Sequence, residues 1–193
     1  MINSKCHSLI IGGTGQFGIS LKNQLNKKKQ KVIITSRFKK SVIKNKFFEV
    51  VVLNIYNKER IFKIIKKHKP QNIFYFAGQS SPTLSFVKKK ETLRSNYTGC
   101  KNVLECIYKI DKDIKFIYAA SSEMYGKIKG KISLKSKKLP VNPYGISKLK
   151  GFNLTKLYRE KYNLKAYNVI IFTFGIFYYF FNSLPRNCYR ITM

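Results

Sequence analysis

Tyr144 and Lys148 stand four residues apart in the run Asn142-Pro143-Tyr144-Gly145-Ile146-Ser147-Lys148, so they share one face of a helix that starts near Pro143. A phenol with an ordinary pKa of about 10 is a poor base at neutral pH, and an ammonium held beside it stabilises the phenolate and lowers that value. Upstream, Ala119-Ala120-Ser121-Ser122-Glu123-Met124-Tyr125-Gly126 follows a strand-like run, where a hydroxyl of Ser121 or Ser122 is placed to hydrogen-bond a substrate oxygen that exchanges a proton with Tyr144. In a chain with 13 Tyr and 33 Lys, a Tyr/Lys pair at this spacing arises by chance. Its order after a Ser-Ser-Glu and an N-terminal glycine turn is what makes it a signal.

That turn is Gly12-Gly13-Thr14-Gly15-Gln16-Phe17-Gly18. Gly12, Gly15 and Gly18 have the spacing at which missing side chains let backbone N–H groups and a helix N-terminus approach a pyrophosphate, provided a strand precedes and a helix follows. The alternative is a tight strand-to-helix turn that binds nothing. The second strand-like run ends at Ser36-Arg37, without the acid that would hold a ribose 2′-hydroxyl. An Arg there pairs with a 2′-phosphate and argues for NADP over NAD, although in so basic a chain a surface Arg is also ordinary.

The elements that must position these groups are visible as periodicity. Apolar runs of strand length fall at residues 8–11, 31–35, 48–53, 72–76, 115–119 and 167–172. Between them lie helical patterns at 18–28, 59–68 and 91–110, with Ile61, Ile64 and Ile65 together in the second. Strands rich in Val, Ile and Phe on both sides of the pleat are buried on both faces, so the alternation predicts an α/β, doubly wound, parallel Rossmann-type sheet. Its C-terminal-end crevice is where the candidate residues fall.

Composition narrows the function classes. The 193 residues carry 39 Lys+Arg against 8 Asp+Glu, a net charge of +31, which on its own points to nucleic acid or an anionic membrane. The cations are scattered, however, and the clusters at 27–29 and 88–90 read as solvated faces, so no nucleic-acid partner is expected. Because 33 of the 39 are Lys, alongside abundant Ile, Phe, Tyr and Asn, the charge reads as compositional bias. The longest uncharged apolar run, 169–181, is shorter than the roughly 20 residues a membrane helix needs. Four cysteines without a CxxC pair, and residues 1–5 leading straight into a strand, predict a reduced cytoplasmic protein with no leader. Neither His7 nor His68 has the spacing of a metal ligand, and no metal is expected.

With these motifs in order, the sequence resembles the extended branch of the short-chain dehydrogenase/reductases, the nucleotide-sugar epimerases and dehydratases, from about residue 8 to 172. Within that branch it looks like the GDP-mannose 4,6-dehydratases in Thr14-Gly15-Gln16, Ala77-Gly78-Gln79-Ser80, Ser121-Ser122-Glu123 and Tyr158-Arg159-Glu160 with Tyr162. The resemblance implies an internal redox cycle: NADP takes hydride from carbon 4 of the hexose, water leaves across carbons 5 and 6, and the hydride returns to carbon 6. Tyr144 would exchange the carbon-4 hydroxyl proton, Lys148 would lower its pKa and orient the nicotinamide ribose, and Ser121 would hold the carbon-4 oxygen. Glu123 would remove the carbon-5 proton, a task an epimerase or reductase lacks. The implied cofactor contacts are Gly12, Thr14, Gly15, Gln16, Phe17, Gly18, Arg37, Asn54, Ile55, Phe76, Ala77, Gly78 and Ser80, with Tyr144 and Lys148. The resemblance also implies subunit pairing through helices 91–110 and 144–162.

Four departures keep other readings open. Phe17 replaces the family's usual Asp, and Asn54-Ile55-Tyr56-Asn57 replaces an acidic segment that touches adenine. Asn96-Tyr97-Thr98-Gly99 is closer to an epimerase or 4-keto-sugar reductase. After Gly175-Ile176-Phe177-Tyr178 the sequence leaves the family pattern, so a Rossmann domain over 1–178, an aberrant tail over 179–193 and loss of the substrate-binding region by truncation are expected. A non-catalytic dinucleotide-binding remnant is the reading that follows if the truncation disables the chain.

Overall fold

The computed structural model describes residues 6–38, 47–128 and 131–172. Six strands, β1 (Ser8–Ile11), β2 (Val32–Ser36), β3 (Phe48–Val52), β4 (Asn72–Tyr75), β5 (Lys115–Ser121) and β6 (Ala166–Ile171), form one parallel sheet in the order β3-β2-β1-β4-β5-β6. The chain builds outward from β1 to β3, then returns to pair β4 on the other side of β1 through Ser8↔Asn72 to Ile11↔Tyr75. That reversal opens a crevice beyond the C-terminal ends of β1 and β4. The expected doubly wound Rossmann-type sheet is therefore the observed one.

Alternation along the strands divides the core in two. Leu9, Ile11, Ile33, Ile73, Tyr75, Phe116 and Tyr118 belong to one cluster, with residues of α2 (Lys58–His68), α5 (Gly99–Ile110) and α6 (Pro143–Tyr162). Ile10, Val32, Ile34, Phe74 and Ile117 belong to the other, with Leu21 of α1 (Gln16–Lys27). Every strand residue from Ser8 to Ile11 and from Val32 to Ser36 is buried, the signature of a sheet covered on both faces.

Helix ends follow local chemistry. Asn57 caps α2 by accepting from Arg60 N–H at 2.8 Å, and Lys69 closes it in the left-handed region. Asn142 caps α6, Pro143 supplies its first turn, and Asn163 ends it at φ 54°. The single helix expected over 91–110 is instead three pieces: α4 (Lys89–Leu93), a π-turn (Arg94–Thr98) and α5, preceded by a short α3 (Pro82–Val87) that the periodicity does not show. The break occurs at Asn96, fully buried, whose amide donates to the carbonyls of Gln79 (3.0 Å) and Thr92 (3.1 Å) and to Ser147 Oγ of α6 (3.1 Å). Ser147 in turn donates to the Tyr144 carbonyl at 2.7 Å, tying the break to α6.

Close approach fixes how α6 lies on the sheet. A β-carbon at Gly151 would meet the Tyr118 hydroxyl at 2.2 Å, and that hydroxyl donates to the Asn96 carbonyl at 3.2 Å on a fully buried ring with nowhere to swing. Gly151→Ala should therefore cost about 1–3 kcal/mol by overpacking. Its denaturant midpoint should fall while far-UV circular dichroism is retained; an unchanged midpoint would contradict the packing described.

Candidate active site

The glycine turn joins β1 to α1 by main chain packed on main chain. Gly12 has φ 84°, and a β-carbon there would lie 2.6 Å from Ala77 N; at Gly18 it would lie 2.4 Å from the Gly13 α-carbon. The Gly12 N–H donates to Thr35 Oγ1 and the Gly13 N–H to the Thr35 carbonyl, which pins the turn to β2. Gly15 occupies the cap position of α1, so no side chain accepts from the helix's first turn. The turn thus presents backbone donors and the positive end of a helix to the crevice, and its residues fit the pyrophosphate of a dinucleotide.

Two cavities continue from it and share Phe76, Gly78 and Ser80. The larger, about 480 Å³, is lined by Gly12, Thr14, Gly15, Arg37, Asn54, Ile55, Phe76, Ala77, Gly78 and Ser80. Ser36, Tyr56, Gln79, Lys88, Glu91 and Ser95 line it too, beyond the expected cofactor contacts. The smaller, about 240 Å³, holds Phe17 with Ser121, Glu123, Tyr144 and Lys148. Gln16 and Gly18 line neither: Gln16 is exposed on α1 and Gly18 is buried beneath the turn. Asn54 lines the cavity, and its side-chain oxygen accepts from Tyr56 N–H at 3.0 Å within its own turn. Ile55 is 7% exposed and packs into the core. A third cavity of about 770 Å³, lined by His7, Lys66, Asp111 and Lys115, lies at the opposite, N-terminal edge of the strands, away from these groups.

Four candidate side chains, Ser121, Glu123, Tyr144 and Lys148, meet at the end of β5. Ser121 Oγ accepts from Glu123 N–H at 3.3 Å and hydrogen-bonds Tyr144, whereas Ser122 turns to the Phe172 carbonyl. Of the two serines, Ser121 is thus the one at the phenol. Glu123 Oε2 accepts from Asn142 Nδ2 at 2.7 Å, while Asn142 Oδ1 accepts from Gly145 N–H at 2.7 Å. One buried amide therefore caps the helix that carries Tyr144 and Lys148 and orients the carboxylate beside them. Asn142 was missed as a site residue, although an Asn before Pro-Tyr at a helix start carries the cap signal.

The electrostatics correct one expectation. The Tyr144 phenol is held above, not below, its ordinary value: burial raises it, the Ser121 hydrogen bond opposes, and the Glu123 carboxylate raises it further. Lys148, whose ammonium donates to the Ala119 carbonyl at 2.9 Å and lies 5.7 Å from the Tyr144 ring centroid, is not among the groups that shift the phenol. Burial instead pushes Lys148 itself down to about 8. Among the described residues, no group of three or more His, Cys, Asp or Glu could hold a metal ion, and no helix is long and apolar enough to cross a membrane. Cys6, Cys100 and Cys106 are buried free thiols. The expectations for the tail, Cys188 included, lie outside the described residues.

The family model for GDP-mannose 4,6 dehydratase matches residues 9–178. The chain belongs to that family. It is 33% identical over 115 residues to the GDP-mannose 4,6 dehydratase of Drosophila melanogaster, covering 58% of this chain and 29% of the relative. To that of Dictyostelium discoideum it is 27% identical over 183 residues, covering 86% of this chain and 51% of the relative. The chain thus spans between about a third and a half of these dehydratases' length. A UDP-glucose 4-epimerase from Brucella ovis, solved in complex with NAD, superposes with a TM-score of 0.76 at 20% identity over 86% of this chain and 51% of that one, a likeness of fold. The family places the chain among the nucleotide-sugar epimerases and dehydratases.

The buried cation has a measurable consequence. With a folded pKa of about 8 against 10.5 ordinarily, Lys148 binds fewer protons folded than unfolded between those values, so its contribution makes stability rise with pH through that window. Lys148→Met should be more stable than the parent at pH 7 by about 2–3 kcal/mol, with the difference vanishing towards pH 10. Denaturation of both chains across this range checks it; equal stabilities at pH 7 would count against a buried, charged Lys148.

Proposed function

We propose that these residues act in the NADP-dependent dehydration of GDP-mannose to GDP-4-keto-6-deoxymannose. The observation that carries this reading is the presence of Glu123 in one cavity with Ser121, Tyr144 and Lys148, because removal of water across two carbons needs a second acid/base that oxidation at one carbon does not. The glycine turn and the uncapped start of α1 support a dinucleotide along the larger cavity, and Arg37 at its rim supports a 2′-phosphate. When bound, the nicotinamide accepts a hydride and later returns it.

The chain's own groups handle the protons. Ser121 hydrogen-bonds the carbon-4 oxygen and Tyr144 takes the carbon-4 hydroxyl proton as the ketone forms. Burial raises that phenol and the Ser121 hydrogen bond opposes it, so Ser121 is the group that favours loss of the Tyr144 proton, while Lys148 would hold the nicotinamide ribose. Glu123 then takes the carbon-5 proton, made acidic by the neighbouring ketone, and gives it to the carbon-6 hydroxyl as that leaves as water; the proton held by Tyr144 balances the one carbon 5 regains when the hydride returns to carbon 6. Asn142 keeps that carboxylate facing the same cavity as the phenol. Phe17, Phe76 and Phe172 line the cavity with apolar surface that limits water around these groups.

A second reading, a nucleotide-sugar 4-epimerase or 4-keto-sugar reductase, draws on Asn96-Tyr97-Thr98-Gly99 at the π-turn. Carbon-4-deuterated GDP-mannose with NADP separates the two. Dehydration moves the label to carbon 6 of a 4-keto-6-deoxy product, and Glu123→Gln slows this by at least about 100-fold while NADP still binds. A carbon-4 epimer without loss of water would establish the second reading, and NADP binding with no conversion would establish a binding remnant.

A further inference from the structure

Glu91 of α4 lines the larger cavity and faces the two cations at its rim: Arg37 Nη1 lies 3.9 Å from Glu91 Oε1, and Lys88 Nζ lies 3.8 Å from Glu91 Oε2. A third cation, Arg94, lies 4.0 Å over the ring of Tyr56, which lines the same cavity. Arg94, Glu91 and Arg37 share one field at Tyr56: burial raises its phenol first, Arg94 and Arg37 lower it and Glu91 raises it. Three positive charges against one negative leave an excess suited to a phosphomonoester, which carries about −1.5 to −2 at neutral pH.

We propose that Glu91 sets the choice between a 2′-phosphate and a 2′-hydroxyl at the adenosine end of the cofactor, by competing with the 2′-phosphate for Arg37 and Lys88. The inference rests on the dinucleotide reading above. Both pairs are longer than a tight hydrogen-bonded ion pair and their side chains are exposed, 73% at Arg37, 54% at Lys88 and 47% at Glu91. Exposed pairs of that kind are weak, so a dianion with stronger, charge-assisted hydrogen bonds displaces the carboxylate. The same carboxylate repels that dianion and accepts a hydrogen bond from a hydroxyl. Glu91 thus lowers the preference that Arg37 and Lys88 create, doing from α4 what the missing acid at the end of β2 would do.

The test is calorimetric titration of the chain with 2′,5′-ADP and with ADP, which carry or lack the 2′-phosphate and need no turnover. Glu91→Gln should raise the affinity for 2′,5′-ADP three- to thirty-fold and leave that for ADP unchanged or weaker. Arg37→Gln should move the ratio the opposite way, and the gap between Glu91→Gln and the parent should narrow at 0.5 M salt as the charges are screened (a Debye length of roughly 4 Å). A ratio of the two affinities unchanged within two-fold in Glu91→Gln overturns the proposal while leaving the dinucleotide reading intact. Failure of the parent chain to bind either nucleotide overturns that reading, and this inference with it.

Discussion

Where β1 ends, main chain lies against main chain so closely that side chains are excluded. A β-carbon on Gly12 would press on the backbone at the end of β4, one on Gly13 would meet the Ile34 side chain at 2.4 Å, and one on Gly18 would strike Gly13. This contact lets α1 start immediately over the sheet with its first turn uncapped by a side chain, and it brings the ends of β1 and β4 together at the point where strand order reverses. The two cavities above the sheet open from that junction. Their shared wall, Phe76 with Gly78 and Ser80, is the continuation of β4.

The second constraint is a buried amide. Asn142 satisfies the start of α6 with its oxygen and holds Glu123 with its nitrogen, so helix position and carboxylate orientation are not independent. The far side of α6 is fixed by Ser147, Asn96 and Gly151 against the π-turn and Tyr118. Between these fixed points sits Lys148, a cation kept in a dry site on one carbonyl. Stability is forgone there, because burial disfavours the charged form of Lys148. The surface charge that dominates the composition contributes little to this arrangement, apart from the cations around Glu91.

Much of this was legible in the sequence, for physical reasons. Short runs such as Ile33-Ile34 and Ile73-Phe74, apolar on both faces of the pleat, disclose buried parallel strands, and Tyr144 and Lys148 at helical spacing after Pro143 disclose their shared face. Long-range pairing was not legible. Nothing local shows that Asn96 breaks a helix because Gln79 and Ser147 lie beside it, or that Glu91 meets Arg37 across the crevice. The expected depression of the Tyr144 pKa failed for a related reason: spacing places an ammonium near a phenol but says nothing of how deeply both are buried or of the Glu123 carboxylate beside them.

The central claim is that a nicotinamide dinucleotide lies across the C-terminal ends of β1 and β4, against the glycine turn. Amide hydrogen exchange of the chain with and without NADP tests this most directly. The account predicts slowed exchange over residues 12–19 and 76–80, with no change at the opposite edge around His7, Asn72 and Lys115. Protection at that opposite edge alone, or none at the glycine turn under saturating NADP, would contradict it.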